Sequence, residues 1–266
     1  MGTRSRQGVR IWLVRRVGRL LDGYFDVRAL REREEHQARH DELIGWLTKF
    51  ERRQRRDVYT ALERAAADDS AQFAIQAFGD ARPFFSPHDL LRNAVEQSPQ
   101  TGLALEFGVA TGTTLNVIAR SRGQRKVFGF DSFVGLPEHW RWGFEQGIFA
   151  SDKIPVVQGA TIVKGLFQDV LPGVLAENPG QLALAHIDSD LYSSAIYVLE
   201  QLRPRMVKGT IIVFDEYYNY PGWREHEHRA WQEFVADSGL EFEYLAATAD
   251  DEQVSVRITE PPKPAA

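Results

Sequence analysis

The chain contains no cysteine, which excludes disulfide staples, thiolate zinc sites and cysteine nucleophiles together. A reducing cytoplasm is the compartment expected. Long apolar runs are also missing. The first apolar stretch, "RIWLVRRVGRLLDGYF", is broken by arginine and is too short to span a bilayer. With charges inside it and no small-residue cleavage site after it, a secretory leader is not expected either. Arg15-Arg16 lacks the following apolar run of a twin-arginine signal. There is no overall excess of positive charge: the formal net charge is −5, so no nucleic-acid partner is expected. No internal repeat is present.

What is there suits a medium-sized globular domain with an appendage. Of 266 residues 43% are hydrophobic, enough to bury a core without staples. The charge is unevenly placed. Residues 1–66 carry 16 Lys+Arg against 10 Asp+Glu, and residues 67–266 carry 16 against 27. We therefore divide the chain into a basic helical extension, residues 1–70, and a larger domain, residues 71–266. In the extension, Ile11, Val14, Val17, Leu21 and Tyr24 stand near helical spacing with arginines between them. Such a helix packs on its own domain, on a second copy in a homo-oligomer, or on an anionic membrane surface as a peripheral contact. Residues 28–64 are charge-dense without proline, and one or two helices are expected.

A regular alternation begins after "FFSPHDLL", where Ser86 is an N-cap, Pro87 the first helical residue and Asp89 lies three after the cap. Strand candidates are 103–107, 126–130, 160–164, 182–187 and 210–214, with helical segments near 113–120, 168–177, 192–203 and 223–238. Two last strands, 241–246 and 253–258, flank "ATADDE" as a hairpin. Continuous apolar strands between helices imply a doubly wound α/β fold. We expect a Rossmann-like, mostly parallel, seven-stranded sheet with an antiparallel C-terminal hairpin. Ligands bind such sheets beyond the carboxyl ends of the strands. Glu106 through Gly112, Asp131, Asp188 with Asp190, and Asp215 with Glu216 all fall there.

"LEFGVATGTT" reads as strand, glycine turn and helix start. Gly108 and Gly112 let the backbone approach a ligand, and Thr113 or Thr114 can cap the helix. It is not G-x-G-x-x-G. Glu106, two residues before the first glycine, would repel a pyrophosphate but tolerate a cationic ligand. Asp131, at the end of the second strand, suits ribose hydroxyls. A plain tight turn is the alternative to this positively charged nucleoside.

The segments "EFGVATGTTLNVIA", "VFGFDSFVGLPEHW", "LAHIDSDLYSS" and "IVFDEYYNYPGWREHEHRAWQEF" resemble the macrocin O-methyltransferase family, over about residues 83–258. The family's members are class I S-adenosylmethionine enzymes, among them metal-dependent methylators of sugar hydroxyls. The resemblance implies that Glu106, Gly108, Gly112 and Thr113 form the cofactor loop and that Asp131 is the ribose ligand. Ser132 and Phe133 would lie beside adenine or ribose, and Phe167 would pack on the adenine. Asp188, Asp215 and Glu216 would be the magnesium ligands and Asp190 the general base. Some relatives have two aspartates where this chain has Asp215-Glu216.

The carboxylates make chemical sense together. Neighbouring strands lie about 4.8 Å apart, so Asp188 and Asp215 at adjacent strand ends could reach one cation. Hard oxygen ligands suit Mg²⁺. Capping of the next helix is the alternative role for Asp190. His186, inside an apolar strand, reads as a satisfied core histidine, and His226 and His228 as a solvated helix face. The segment 136–150, with Trp140, Trp142, Phe144 and Phe149, reads as a packed surface loop or an aromatic lid, with "YYNYPGW" (217–223) as the opposite wall. The expected activity is Mg-dependent methyl transfer from S-adenosylmethionine to a hydroxyl of a small-molecule or glycoside acceptor, in particular a sugar. The alternatives are a catechol-type acceptor, or a non-catalytic membrane-surface or assembly module that keeps the fold.

Overall fold

A computed structural model of the chain describes residues 4–123 and 126–264, with side chains from residue 28 onward except 29 and 30. The side chains of Ile11, Val14, Val17, Leu21 and Tyr24 lie outside the described residues. The chain divides into two compact units, Met1–Ala61 and Leu62–Ala266.

In the first unit, α1 (Arg4–Arg56) is a helix of 53 residues. Asp57 ends it and starts α2 (Val58–Ala77), its carboxylate accepting the backbone N–H of Tyr59 at 3.0 Å. That is the N-cap role for which aspartate is suited. Leu43, Trp46, Leu47 and Phe50 are exposed along α1, with Trp46 stacked on Phe50. Among the described residues no helix is long and apolar enough to cross a membrane.

The second unit is built on an eight-stranded sheet. Its strands are β1 (Arg82–Phe84), β2 (Leu103–Phe107), β3 (Val127–Asp131), β4 (Thr161–Lys164), β5 (Leu182–Ile187), β6 (Ile211–Phe214), β7 (Glu241–Thr248) and β8 (Val254–Glu260). The order is β1-β7-β8-β6-β5-β2-β3-β4. Strands β6-β5-β2-β3-β4 run parallel, and β8 is antiparallel to both β6 and β7. The expected architecture is therefore found, with one strand more than seven. The addition is β1, an edge strand of three residues paired parallel to β7, too short to show a hydrophobic period.

Helices cover both faces. On one lie α3 (Pro87–Gln97) and α4 (Thr113–Arg122), sharing a core of Leu90, Leu91, Leu115 and Ile118 with Ala104, Leu184 and Val213. On the other lie α5 (Phe167–Glu177), α6 (Tyr192–Leu202) and α7 (Glu227–Ser238), against Leu105, Phe107, Ala185, Ile187 and Phe214. The strict alternation of β2, β5 and β6 between two buried faces explains why their sequences read as continuous apolar runs. Ser86 caps α3 as expected, accepting the N–H of Asp89.

Candidate functional site

The parallel strands deliver their carboxyl ends to one rim. In register, Glu106 of β2 pairs with His186 of β5, and Ile187 with Phe214 of β6. The carboxylates that follow β5 and β6 therefore arrive side by side. Gly108 makes this possible. At φ 100° it passes so close to Asp188 that an added Cβ would stand 1.7 Å from the Asp188 carbonyl oxygen, and only glycine permits both.

Three polar residues cross this rim in a row. His186 is buried, with Nδ1 2.9 Å from Glu106 Oε1 and Nε2 3.2 Å from Asp215 Oδ1. Burial opposes charge on the ring, but the hydrogen bonds to Asp215 and Glu106 outweigh it and hold the imidazole well above its ordinary value. Each ring nitrogen thus faces one carboxylate oxygen. His186 is thus the satisfied core histidine expected, and it joins two of the candidate site residues. Burial raises the Glu106 carboxyl. For Asp215, burial is overcome by the His186 hydrogen bond and its carboxyl is lowered; Gln253 adds a donor at 3.2 Å.

His186, Asp188 and Asp215 place one ligand-type atom each within 4.8 Å of one another. Both ring nitrogens of His186 are already engaged, which leaves oxygen donors, the set that a hard cation prefers. Glu216 is not part of that trio, but its side chain hydrogen-bonds Asp215 and its Oε2 is buried without a hydrogen-bond partner among the described residues. Burial and then the Asp215 charge push the carboxyls of Asp188 and Glu216 well up. A cation here would reverse that cost, so the donor set fits Mg²⁺.

Asp190 stands at φ 63°, a conformation few non-glycine residues adopt. It is buried, and burial followed by the Asp215 charge pushes its carboxyl up to about 7. The residue at the N-cap of α6 is Leu191, without a side-chain cap bond. Asp190 is therefore not the cap of that helix.

The loop after β2 is organised by Asp131. Its Oδ2 accepts the N–H groups of Val109 and Ala110 at 2.9 and 2.8 Å, and its Oδ1 accepts that of Phe133 at 2.7 Å. A carboxylate has about four lone-pair sites, so capacity remains for a ligand hydroxyl. The start of α4 differs from expectation: Gly112, at φ 78°, occupies the N-cap without a side-chain bond. Thr113 instead meets Thr111 Oγ1 at 2.9 Å, and Thr114 hydrogen-bonds Glu106.

A cavity of about 580 Å³ opens on this rim. Gly108, Asp131, Ser132, Phe167, Asp188, Asp190 and Glu216 line it. Glu106, Gly112, Thr113, Phe133 and Asp215 do not. In the His186 row, Glu106 is fully buried, whereas Asp215 keeps about a fifth of its side chain exposed, 21%. Phe133 is buried in the core shared with α3 and α4, and Phe167 meets Phe107 edge-on at 5.5 Å. Trp140, Arg141, Phe144 and Phe149 of 136–150 line the cavity, whereas 217–223, expected as the opposite wall, is not among its lining residues. Trp140 packs edge-on to Tyr220 at 5.9 Å, which brings the two aromatic segments together. Arg141 lies 4.0 Å over Trp140 and 4.5 Å over Tyr220, and its Nη1 contacts Glu252 at 3.0 Å.

Two further residues have roles that the sequence does not announce. Glu227, fully buried at the start of α7, accepts the N–H of Ser189 with Oε1 and that of Glu216 with Oε2, each at 3.2 Å. It ties the two acidic loops together. Its neighbour His228, expected on a solvated face, is instead buried against Phe73, Tyr217 and Trp223. Nothing in "WREHEHRAW" marks either position as internal.

The comparisons agree with this geometry. Residues 157–247 match the family model described as macrocin-O-methyltransferase (TylF). The 8-demethyl-8-(2,3-dimethoxy-α-L-rhamnosyl)-tetracenomycin-C 4'-O-methyltransferase of Streptomyces olivaceus is 29% identical over 144 residues, 44% of this chain and 53% of that one. The chain thus spans about half the length of that curated relative. Among solved structures, CalS11, a calicheamicin methyltransferase, is 30% identical with a TM-score of 0.51, covering 64% of this chain and 76% of its own. An apo structure of CalS11, there described as a TDP-rhamnose 3'-O-methyltransferase, gives 28%, the same coverage and a TM-score of 0.45. On the motifs, the sheet and the CalS11 likeness, the chain belongs to the macrocin O-methyltransferase family.

Proposed function

We propose that the protein transfers the methyl group of S-adenosylmethionine to a hydroxyl of a sugar, in a glycoside or natural product, with the help of a magnesium ion. One observation carries this reading. Asp131, Asp188, Asp190 and Glu216 line a single cavity beyond the strand ends, together with Gly108 of the glycine loop.

Asp131 has capacity left to accept from the ribose hydroxyls, and Phe167 and Ser132 line the same cavity. Asp188, Asp215 and Glu216 would hold Mg²⁺, which when bound acidifies and orients a hydroxyl. Asp190 faces the same space, shielded from water, and accepts the proton of the acceptor hydroxyl. The acceptor oxygen attacks the methyl carbon as the carbon–sulfur bond breaks, leaving S-adenosylhomocysteine. Glu227 and His186 keep the carboxylates in place from behind.

Calorimetry tests the first half. S-adenosylmethionine and S-adenosylhomocysteine should bind, and NAD should bind much more weakly. Tight NAD binding with no response to S-adenosylmethionine would overturn the proposal. A panel of sugar and catechol acceptors, assayed with and without magnesium, tests the second half.

A further inference from the structure

Helix α1 carries a pattern that the proposed reaction does not use. It runs for 53 residues, about 80 Å by helical rise, and helices draw most of their stability from packing an apolar face. Here that face is uncovered: Leu43, Trp46 and Phe50 are each at least half exposed, and Trp46 stacks on Phe50 along it. The three follow one another at intervals of three and four, the spacing of a coiled-coil seam.

The charges beside the seam keep the same period. With Leu43 and Phe50 at a and Trp46 at d, Glu35, Glu42, Lys49 and Arg56 fall on successive g positions. All four are exposed, and their side chains have no ion-pair partner among the described residues. Two carboxylates are thus followed by two cations along one edge. In an antiparallel pair of such helices, g positions face g positions. Setting Leu43 against Trp46 of a second copy then sets Glu42 against that copy's Lys49 and Glu35 against its Arg56. The two-fold axis repeats each ion pair, over a seam about 33 Å long. Phe50 meets Arg39 of the second copy, a ring and a guanidinium that attract each other. A parallel pair loses this match, because g positions there face e positions five residues on. Glu35 would meet His40, Glu42 would meet Leu47 and Lys49 would meet Gln54, none of them a permanent opposite charge. An anionic membrane also suits the edge less well, since it attracts Lys49 and Arg56 but repels Glu35 and Glu42.

We propose that residues 35–56 of α1 pair with the same residues of a second copy as an antiparallel two-helix coil, with the edge charges setting its orientation. The pairing is independent of the methyl transfer proposed above.

Sedimentation velocity on the full chain, across a micromolar concentration range, tests it. The native protein should dimerise, and added salt should weaken the dimer severalfold by screening its ion pairs. Glu35→Lys with Glu42→Lys makes the edge wholly basic, and Lys49→Glu with Arg56→Glu makes it wholly acidic. Each double variant alone should dimerise at least tenfold more weakly, because like charges then face each other. The four sites are exposed, so helix content by circular dichroism should be kept. An equal mixture of the two variants should form a heterodimer at least as tight as the native dimer, which only g-to-g pairing gives. A native chain that stays monomeric, double variants that dimerise as well as the native chain, or a mixture that does not pair would each overturn the inference. So would a monomeric native chain that floats with phosphatidylserine vesicles at physiological salt, which would assign the exposed face to a membrane.

Discussion

Glu227 holds Glu216 by its backbone: one carboxylate oxygen accepts the Glu216 N–H at 3.2 Å, while the other accepts that of Ser189. One buried side chain thereby fixes the spacing between the loop after β5 and the loop after β6. Partners of this kind orient ligands that they do not themselves replace, and their loss usually costs about 10–100-fold in metal affinity. Glu227→Gln keeps the shape but can accept only with its single carbonyl oxygen, so one N–H loses its partner. Magnesium affinity measured by calorimetry should fall in that range while S-adenosylmethionine affinity is kept. Unchanged magnesium binding would make Glu227 a mere core residue.

Gly108 gives a second prediction. Its positive φ, and the 1.7 Å that would separate an added Cβ from the Asp188 carbonyl oxygen, leave no room for a side chain. Gly108→Ala should lower stability by about 2 kcal/mol or more and weaken cofactor and magnesium binding together, because the contact joins the two half-sites. Thermal unfolding and calorimetry on the same variant check this.

Much of this is legible in the sequence, for physical reasons. Strands buried on both faces are apolar at nearly every position, so β2, β5 and β6 stand out despite Glu106 and His186, and carboxylates at their ends are conspicuous because nothing in a core requires them. Glu227 is not legible. It lies in a charged helical run whose burial depends on how α7 docks, and neighbouring Arg and Glu residues on the same helix are solvent-facing. His186 reads as a core residue, but its link between Glu106 and Asp215 emerges only when three strands are in register. β1 pairs over three residues, too few for any period.

His228 should govern part of the acid response. Burial lowers it from 6.5 to about 4, with the Arg224 charge adding to this. Between those values the unfolded chain takes up a proton that the folded chain refuses. Stability supplied by the neutral ring is therefore complete above about pH 6.5 and is lost as pH falls toward 4, by about 3 kcal/mol in all. His228→Phe removes this titration. Denaturant unfolding should show the difference between variant and native protein shifting by that amount in the variant's favour from pH 7 to pH 4. A constant difference would contradict it.

Asp131→Ala removes the acceptor for three backbone N–H groups as well as for the proposed ribose contact. A charge-assisted hydrogen bond contributes roughly 1.5–3 kcal/mol, so S-adenosylmethionine affinity should fall at least tenfold. Magnesium affinity should hold, because Asp188 and Asp215 follow other strands, β5 and β6. Calorimetry with each ligand separates the two effects.

The central test compares Asp190→Asn with the native protein in methyl transfer from S-adenosylmethionine to a saturating acceptor from the sugar panel, with saturating magnesium and after its removal by a chelator. Asparagine keeps the shape of Asp190 but cannot take up a proton. The proposed chemistry predicts that the native protein loses turnover with the chelator and regains it with magnesium. It predicts that Asp190→Asn binds cofactor and metal normally yet turns over roughly 10²–10⁴-fold more slowly. Native turnover that ignores the chelator, or an Asp190→Asn variant with undiminished rate, would contradict it.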